Sequence, residues 1–414
     1  MSCLYYKNNE LYIEEVSLQE IAVQFGTPCY VYSKAAILNN WNTFNGAFNS
    51  IPHRICYAVK ANSNIAILRL LANLQSGFDV VSYGEIKRVI AAGGDTRKIV
   101  FSGVGKTHTE IEQGIQHNIY CFNVESLPEL YRINDIATQM KKTVDIALRI
   151  NPNINPNTHA HITTGLNESK FGIDISEMLA LQEKILTLPS LRLIGIACHI
   201  GSQIVELQPF LEVVDKMIEI YKQLQDAHVS IQHINIGGGL GIVYHDEHPP
   251  GIREYAKVLC EKLRAYDVEI IIEPGRAIVG NAGVLLSRIE YIKETPNKNF
   301  AILDAGMNDL LRPALYDAWQ TILPVISRSG ERKTYDIAGP VCESADFIGK
   351  NRELVLEQGD LLAIDSAGAY GFSMSSNYNS RVRPPEVLVD GDKVSLIRRR
   401  ERVEELFKAE EVYR

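Results

Sequence analysis

Between about residues 54 and 272, short runs of β-branched and aromatic residues alternate with longer stretches of helical periodicity. The strand-like runs fall at 54–59, 78–81, 99–102, 119–124, 144–150, 193–199, 231–236 and 268–272. Segments with apolar residues three and four apart separate them, at 66–75, 83–92, 107–117, 127–140, 175–188, 207–228 and 251–266. Strands alternating with helices in this number predict a (β/α)8 TIM-type barrel, although an open doubly wound sheet shares the count. Polar residues favour the barrel. Lys60, Ser82, Ser102, Asn123, Asn151, His199, the glycines 237–239 and Glu273 each follow a strand. Only a closed barrel brings all such ends to one face.

Outside that region the rhythm changes. Residues 1–27 alternate apolar and polar at Leu11-Tyr12-Ile13, turn helical over 18–25, and break at Gly26-Thr27-Pro28. After residue 283, strand-like runs at 284–292, 301–304, 333–337, 361–364, 386–389 and 393–398 follow one another without regular helices. This predicts a second, all-β domain, a sandwich or barrel, built from 284–414 together with 1–27, beside a barrel over 28–283. The charged stretch 401–412 predicts a solvated helix.

Composition adds exclusions. A chain of 414 residues with 46% hydrophobic and 22% charged residues has ample material for a core. A net charge of -8 argues against nucleic acid or an anionic membrane as the main partner. No apolar run approaches the roughly 20 residues that span a bilayer. The seven cysteines are scattered, without a CxxC pair, which suits a reducing cytoplasm and predicts no metal site.

The chemistry concentrates in a few places. Lys60 ends the apolar run Ile55-Cys56-Tyr57-Ala58-Val59. A lysine there needs a partner, a path to solvent or a covalent use, and the last makes it a candidate Schiff-base lysine. Gly237-Gly238-Gly239 follows the seventh strand, where barrels often bind phosphate, although a tight turn explains three glycines equally well alone. Glu273-Pro274-Gly275-Arg276 follows the eighth and joins a carboxylate to a guanidinium, either as an ion pair or as partners for a ring nitrogen and an anion. His199 begins His199-Ile200-Gly201-Ser202 after the sixth strand. In the β-rich part, Cys342-Glu343-Ser344-Ala345-Asp346 sets a cysteine beside two acids after a Gly-Pro turn, so exposure and proton transfer are expected of it. Lysine, phosphate-binding glycines, a ring-facing histidine and a carboxylate for a ring nitrogen are together what pyridoxal phosphate requires.

These motifs, in this order, resemble the fold-type III pyridoxal-phosphate decarboxylases and, within them, the diaminopimelate decarboxylases. Arg149-Ile150-Asn151-Pro152, Thr164-Gly165-Leu166, Ser169-Lys170-Phe171-Gly172 and Tyr378-Asn379-Ser380-Arg381 extend the resemblance over most of the chain. Ser76 before Gly77, and Tyr83, depart from the common pattern. The resemblance implies decarboxylation of meso-2,6-diaminopimelate to L-lysine, the related decarboxylation of ornithine, arginine or a carboxylated polyamine being the alternative. It implies that Lys60 carries the cofactor as a Schiff base and that His199 stacks on its ring. Ser202, Gly237, Gly238, Gly239, Gly275, Arg276 and Tyr370 are expected near the phosphate, and Glu273 at the ring nitrogen. Arg276, Arg312, Tyr316, Glu343 and Tyr370 are expected to hold substrate, and Cys342 to donate a proton. A homodimer with shared sites is implied, Cys342 and Glu343 coming from the partner. The stretch His161 to Asn167 is read as a possible lid.

Overall fold

The computed structural model describes residues 3–156, 164–165 and 169–413. The chain divides into two compact units, one of Asn40–Ile242 with His248–Ala277, the other of Met1–Asn39, Val243–Glu247 and Ile278–Arg414.

The first unit is a closed parallel barrel. Its strands are His53–Ala58, Gly77–Val80, Ile99–Phe101, Cys121–Val124, Val144–Asn151, Leu191–Ala197, His233–Asn235 and Glu269–Ile272. Each pairs with the next, and the eighth returns to the first through Ile270 opposite His53 and Ile272 opposite Ile55. The open-sheet alternative is thereby excluded. Every predicted strand and helix of this unit is present, with ends moved by at most three residues. Small and branched side chains from different strands, Cys56, Val100, Cys121, Ala147, Ile194 and Ile271, form a buried cluster, as barrel interiors require. Several helices start on side-chain caps. Ser82 accepts from the Glu85 amide, Ser126 from that of Glu129, and Thr107 with Glu110 makes a capping box. Ser82 is thus committed to the scaffold.

The second unit is built on strands. Gly283–Glu294 is its longest element; its first half pairs with Cys29–Ser33 and Leu361–Ile364, its second with Asn299–Leu303. Lys333–Ala338 and Phe347–Leu354 extend one side, Glu386–Asp390 and Lys393–Arg398 the other. Leu18, Ile21, Val31, Val284, Leu286, Ala363 and Val387 pack in its core.

Three expectations change. Cys29–Ser33, assigned by position to the barrel, is a fully buried strand of the second unit, so the boundary lies after residue 39. The second crossing falls at Ile278, and Val243–Glu247 also belongs to the sheet unit. The helix expected over 401–412 spans only Val403–Leu406, since the side chains around it are exposed and bury no apolar stripe.

Candidate active site

The Lys60 motif leaves the first barrel strand as a single 3-10 turn, Val59–Ala61. Its backbone is pinned on both sides. The Tyr57 hydroxyl donates to the Asn62 carbonyl at 3.0 Å, Asn62 Oδ1 accepts from the Asn64 amide, and Asn64 caps the next helix. The Lys60 ammonium, one-third exposed, donates to Asp79 Oδ2 at 2.5 Å. Asp79 lies in the second strand with no exposed surface. Sequence reasoning passed over it. The available signal was an acid between Phe78 and Val80 in an apolar strand, since a buried carboxylate demands a cation.

The eighth strand delivers Glu273 beside the first, because the two are paired and Ala58 N–H donates to the Pro274 carbonyl at 3.1 Å. Gly275 makes this approach possible: a Cβ there would stand 2.9 Å from that of Ala61. Glu273 is buried, and Asn235 Nδ2 donates to its Oε1 at 2.5 Å. Asn235, also fully buried, accepts from the Gly237 amide through its other amide atom at 2.8 Å. It is a second residue missed, legible only as a polar side chain between Ile234 and Ile236. Burial first, and the Asp79 charge second, push the Glu273 carboxyl up to about 8, while Lys60 pulls it down. A carboxyl raised above its unfolded value of about 4.5 binds its proton more tightly in the folded state. The contribution of Glu273 to the stability of cofactor-free protein is therefore lost as pH rises from about 4.5 to about 8. Urea midpoints of wild type and Glu273→Gln at pH 5 and pH 8 isolate it: wild type should lose more stability, or gain less, than the variant between the two.

His199 follows the sixth strand. Its Nδ1 accepts from the Gly238 amide at 3.2 Å, which puts the proton of the neutral ring on Nε2. Burial, then Lys60 and Arg149, hold its pKa well below the usual range. The ring is therefore an uncharged aromatic face. Thr164 binds the same segment, its hydroxyl donating to the His199 carbonyl at 2.7 Å. Of the stretch read as a lid, only Thr164 and Gly165 are described; His161–Thr163 and Leu166–Asn167 lie outside the described residues.

The glycines 237–239 are explained first by close packing. A Cβ on Gly237 would come to 2.5 Å from the Cys198 carbonyl oxygen, on Gly238 to 2.1 Å from that of Glu273, and on Gly239 to 2.6 Å from that of Gly201. Gly237 and Gly239 also have φ of 69° and 117°. Two of their amides are already used, by Asn235 and His199. Gly238→Ala should lower the unfolding free energy by about 1–3 kcal/mol or more, the scale of overpacking, read as a lower urea midpoint at unchanged slope. Nearby, Arg276 Nη2 donates to Ser202 Oγ at 3.0 Å, which sets a hydroxyl beside a buried guanidinium. Within Glu273-Pro274-Gly275-Arg276, Glu273 bonds Asn235 and Arg276 bonds Ser202. Around the rest of the mouth the strand-end polar groups hold the scaffold. Asn123 donates to Ser102 Oγ, Asn151 to Ser169 Oγ and the Phe171 carbonyl, and Arg149 pairs with buried Glu125 at 2.6 Å.

In the sheet unit, Arg312 and Tyr316 stand four apart on the short helix Arg312–Tyr316, hence on one face. Arg312 is buried, its Cζ 4.3 Å from the centre of the Tyr244 ring. Among the seven cysteines Cys342 alone is exposed. Its amide donates to Asn379 Oδ1 at 2.9 Å, and Glu343 Oε2 accepts from the Tyr378 hydroxyl at 3.3 Å. The second acid of the motif, Asp346, is unavailable to the thiol. It is buried and accepts from the amides of Met307 and Val341 at 2.6 and 2.7 Å, which shapes the turn that carries Cys342. Tyr370 has φ of 55°, at a turn that Gly371 lets approach the Ala367 carbonyl.

A pyridoxal fits the residues at the barrel mouth: an amine on a strand end, a neutral ring face, a buried carboxylate and a hydroxyl-guanidinium pair. Comparison with known proteins agrees. Residues 34–280 match the family model described as pyridoxal-dependent decarboxylase, pyridoxal binding domain. A diaminopimelate decarboxylase of Vibrio cholerae is 52% identical over 409 residues, covering 99% of this chain and 98% of the relative. One from Haemophilus influenzae is 52% identical over 413 residues, covering 99% of each. The crystal structure of diaminopimelate decarboxylase from M. jannaschii in co-complex with L-lysine superposes with a TM-score of 0.94 at 40% identity, covering 99% of this chain and 98% of that one.

Proposed function

The chain belongs to the pyridoxal-dependent decarboxylases, and on that premise we propose that it removes CO2 from meso-2,6-diaminopimelate to give L-lysine. The observation that carries this reading is the arrangement of Lys60, Asp79, His199 and Glu273, each ending or lining a barrel strand, with Lys60 within electrostatic reach of the other three. Similarity along the whole chain to enzymes of that name supports the choice of substrate.

When bound, pyridoxal phosphate supplies a protonated heterocycle that accepts the electron pair left at Cα as CO2 departs. The chain's own groups prepare for that. Lys60 is the covalent anchor, and Asp79 holds its amine at the strand end when it is free. His199 offers a flat neutral ring whose orientation Gly238 fixes. Glu273, oriented by Asn235, would share its proton with a facing ring nitrogen: burial, with the Asp79 charge, holds the carboxyl protonated, and a cation on that nitrogen would favour the carboxylate in return. Arg276 and Ser202 donate to the phosphate, joined by Tyr370 and by the glycine segment 237–239, which brings the backbone close and leaves the Gly239 amide to donate, those of Gly237 and Gly238 being held by Asn235 and His199. Arg276, Arg312, Tyr316, Glu343 and Tyr370 hold the substrate: guanidinium groups suit the distal carboxylate and Glu343 the distal ammonium. Cys342 returns a proton to Cα. We place Cys342 and Glu343 in the site of a second copy, in a homodimer; their exposure supports that role. No described helix is long and apolar enough to cross a membrane, and we place the enzyme in the cytoplasm with the rest of amino-acid synthesis.

Measuring CO2 release from a panel of meso-2,6-diaminopimelate, L-ornithine, L-arginine and a carboxylated polyamine tests the proposal. Turnover should be confined to the first, with L-lysine formed in equal amount. Faster turnover of any other member would replace the substrate assignment.

A further inference from the structure

Arg352 takes no part in the site described above. It lies in strand Phe347–Leu354 and is only 7% exposed. Among the described residues its guanidinium makes no ion pair or hydrogen bond, and its Nε is buried without a partner. A buried guanidinium normally meets a carboxylate or other acceptors that replace its lost hydration. Here burial alone pulls its pKa down to about 10. The surroundings are built to hold it in place nonetheless. The Trp319 ring covers it with Cζ 3.0 Å from the ring centre. Gly349 leaves the room it fills, since a Cβ there would stand 2.6 Å from Arg352 Nε.

Arg352 also lines a cavity of about 300 Å³, together with Asp317, Trp319, Ala345, Phe347 and Lys350. That volume is at the small end of ligand pockets. We infer that this cavity binds a small carboxylate on Arg352, with Asp317 on its wall favouring one that also carries an ammonium group. Arginine presents paired N–H donors that match a carboxylate, and the exposed Lys350 adds a second positive charge. Asp317 ends the helix Arg312–Tyr316 in a left-handed conformation, φ 50°. The cavity therefore accepts positive and negative ends of a zwitterion, and it does so without any residue assigned to cofactor or substrate.

Tryptophan fluorescence reads this directly, because the chain has two tryptophans and a Trp319→Phe control assigns the signal to the ring on Arg352. Holoenzyme is titrated with glycine and with acetate, against sodium chloride at matched ionic strength. The expected result is a saturable change with both, glycine binding the tighter. Arg352→Met should weaken binding by about tenfold or more, the scale of a lost charged hydrogen bond. Arg352→Lys, which keeps the charge without the fork, should weaken it less, and serves if the methionine variant does not fold. Asp317→Asn, at an exposed position, should abolish the preference for glycine over acetate. The proposal is overturned by a response no larger than that to chloride, or by affinity unchanged in both Arg352 variants. It is also overturned if the midpoint tracks protein concentration over a tenfold range, which would give Arg352 to a carboxylate of a neighbouring copy.

Discussion

Lys60→Ala releases CO2 from meso-2,6-diaminopimelate at a rate lower by a factor on the order of 10⁴ or more, the scale on which loss of a covalent nucleophile acts. The Lys60 side chain is one-third exposed and fills no core, but its loss takes the cation from fully buried Asp79, so Lys60→Ala is also less stable and Lys60→Arg carries the comparison. Lys60→Arg is equally inactive, although it preserves the charge opposite Asp79, since a guanidinium does not give up its proton. That pair separates covalent use from charge pairing: steady-state CO2 release checks the loss, and far-ultraviolet circular dichroism checks the fold. Full activity in Lys60→Arg would reduce the lysine to an ion-pair partner of Asp79.

Cys342→Ala lowers kcat by about 10²–10⁴, the range for a general acid, and leaves cofactor affinity unchanged because the thiol lies outside the barrel mouth groups that hold it. Mixing this variant with Lys60→Ala tests the shared site. In a two-fold dimer with exchanged residues, each hybrid has one intact site and one doubly altered site. Random reassortment of equal amounts then restores about a quarter of the wild-type sites. No recovery after dissociation and remixing would place Cys342 and Lys60 in the same copy's site.

Much of this architecture was readable from the chain because barrel strands are short apolar runs between turn signals. Helices such as Tyr83–Ala91 and Gln208–Asp226 carry clear amphipathic stripes. Lys34–Ala47 escaped notice, although Ile37, Trp41 and Phe44 are buried along one stripe. Its four asparagines are poor helix formers and mask the pattern. Cys29–Ser33 carries no mark of its unit, because its partners Gly283–Glu294 and Glu386–Asp390 lie over 240 residues away and fix its place only through pairing.

The site was legible where chemistry breaks a pattern at a strand end, as at Lys60, His199 and Glu273. It was hidden where the chemistry sits inside a strand. Asp79 and Asn235 are each one polar residue among apolar neighbours, and their roles come from contacts with residues 19 positions and 38 positions away. The glycines taught a different lesson. Their spacing suggested an anion cradle, but close backbone approach already requires all of them. The Cys342 motif divided likewise: its first acid remains exposed, whereas the second is consumed in forming the turn.

Asp79, His199 and Glu273 at the barrel mouth all feel the charge of one amine, that of Lys60. Borohydride reduction of the holoenzyme, followed by proteolysis and mass spectrometry, tests its role as the covalent anchor most directly. The expected result is a pyridoxyl group on the peptide containing Lys60 and on no other, with loss of the visible absorption band and of activity in step. Labelling at a different lysine, with Lys60 unmodified, would contradict the account.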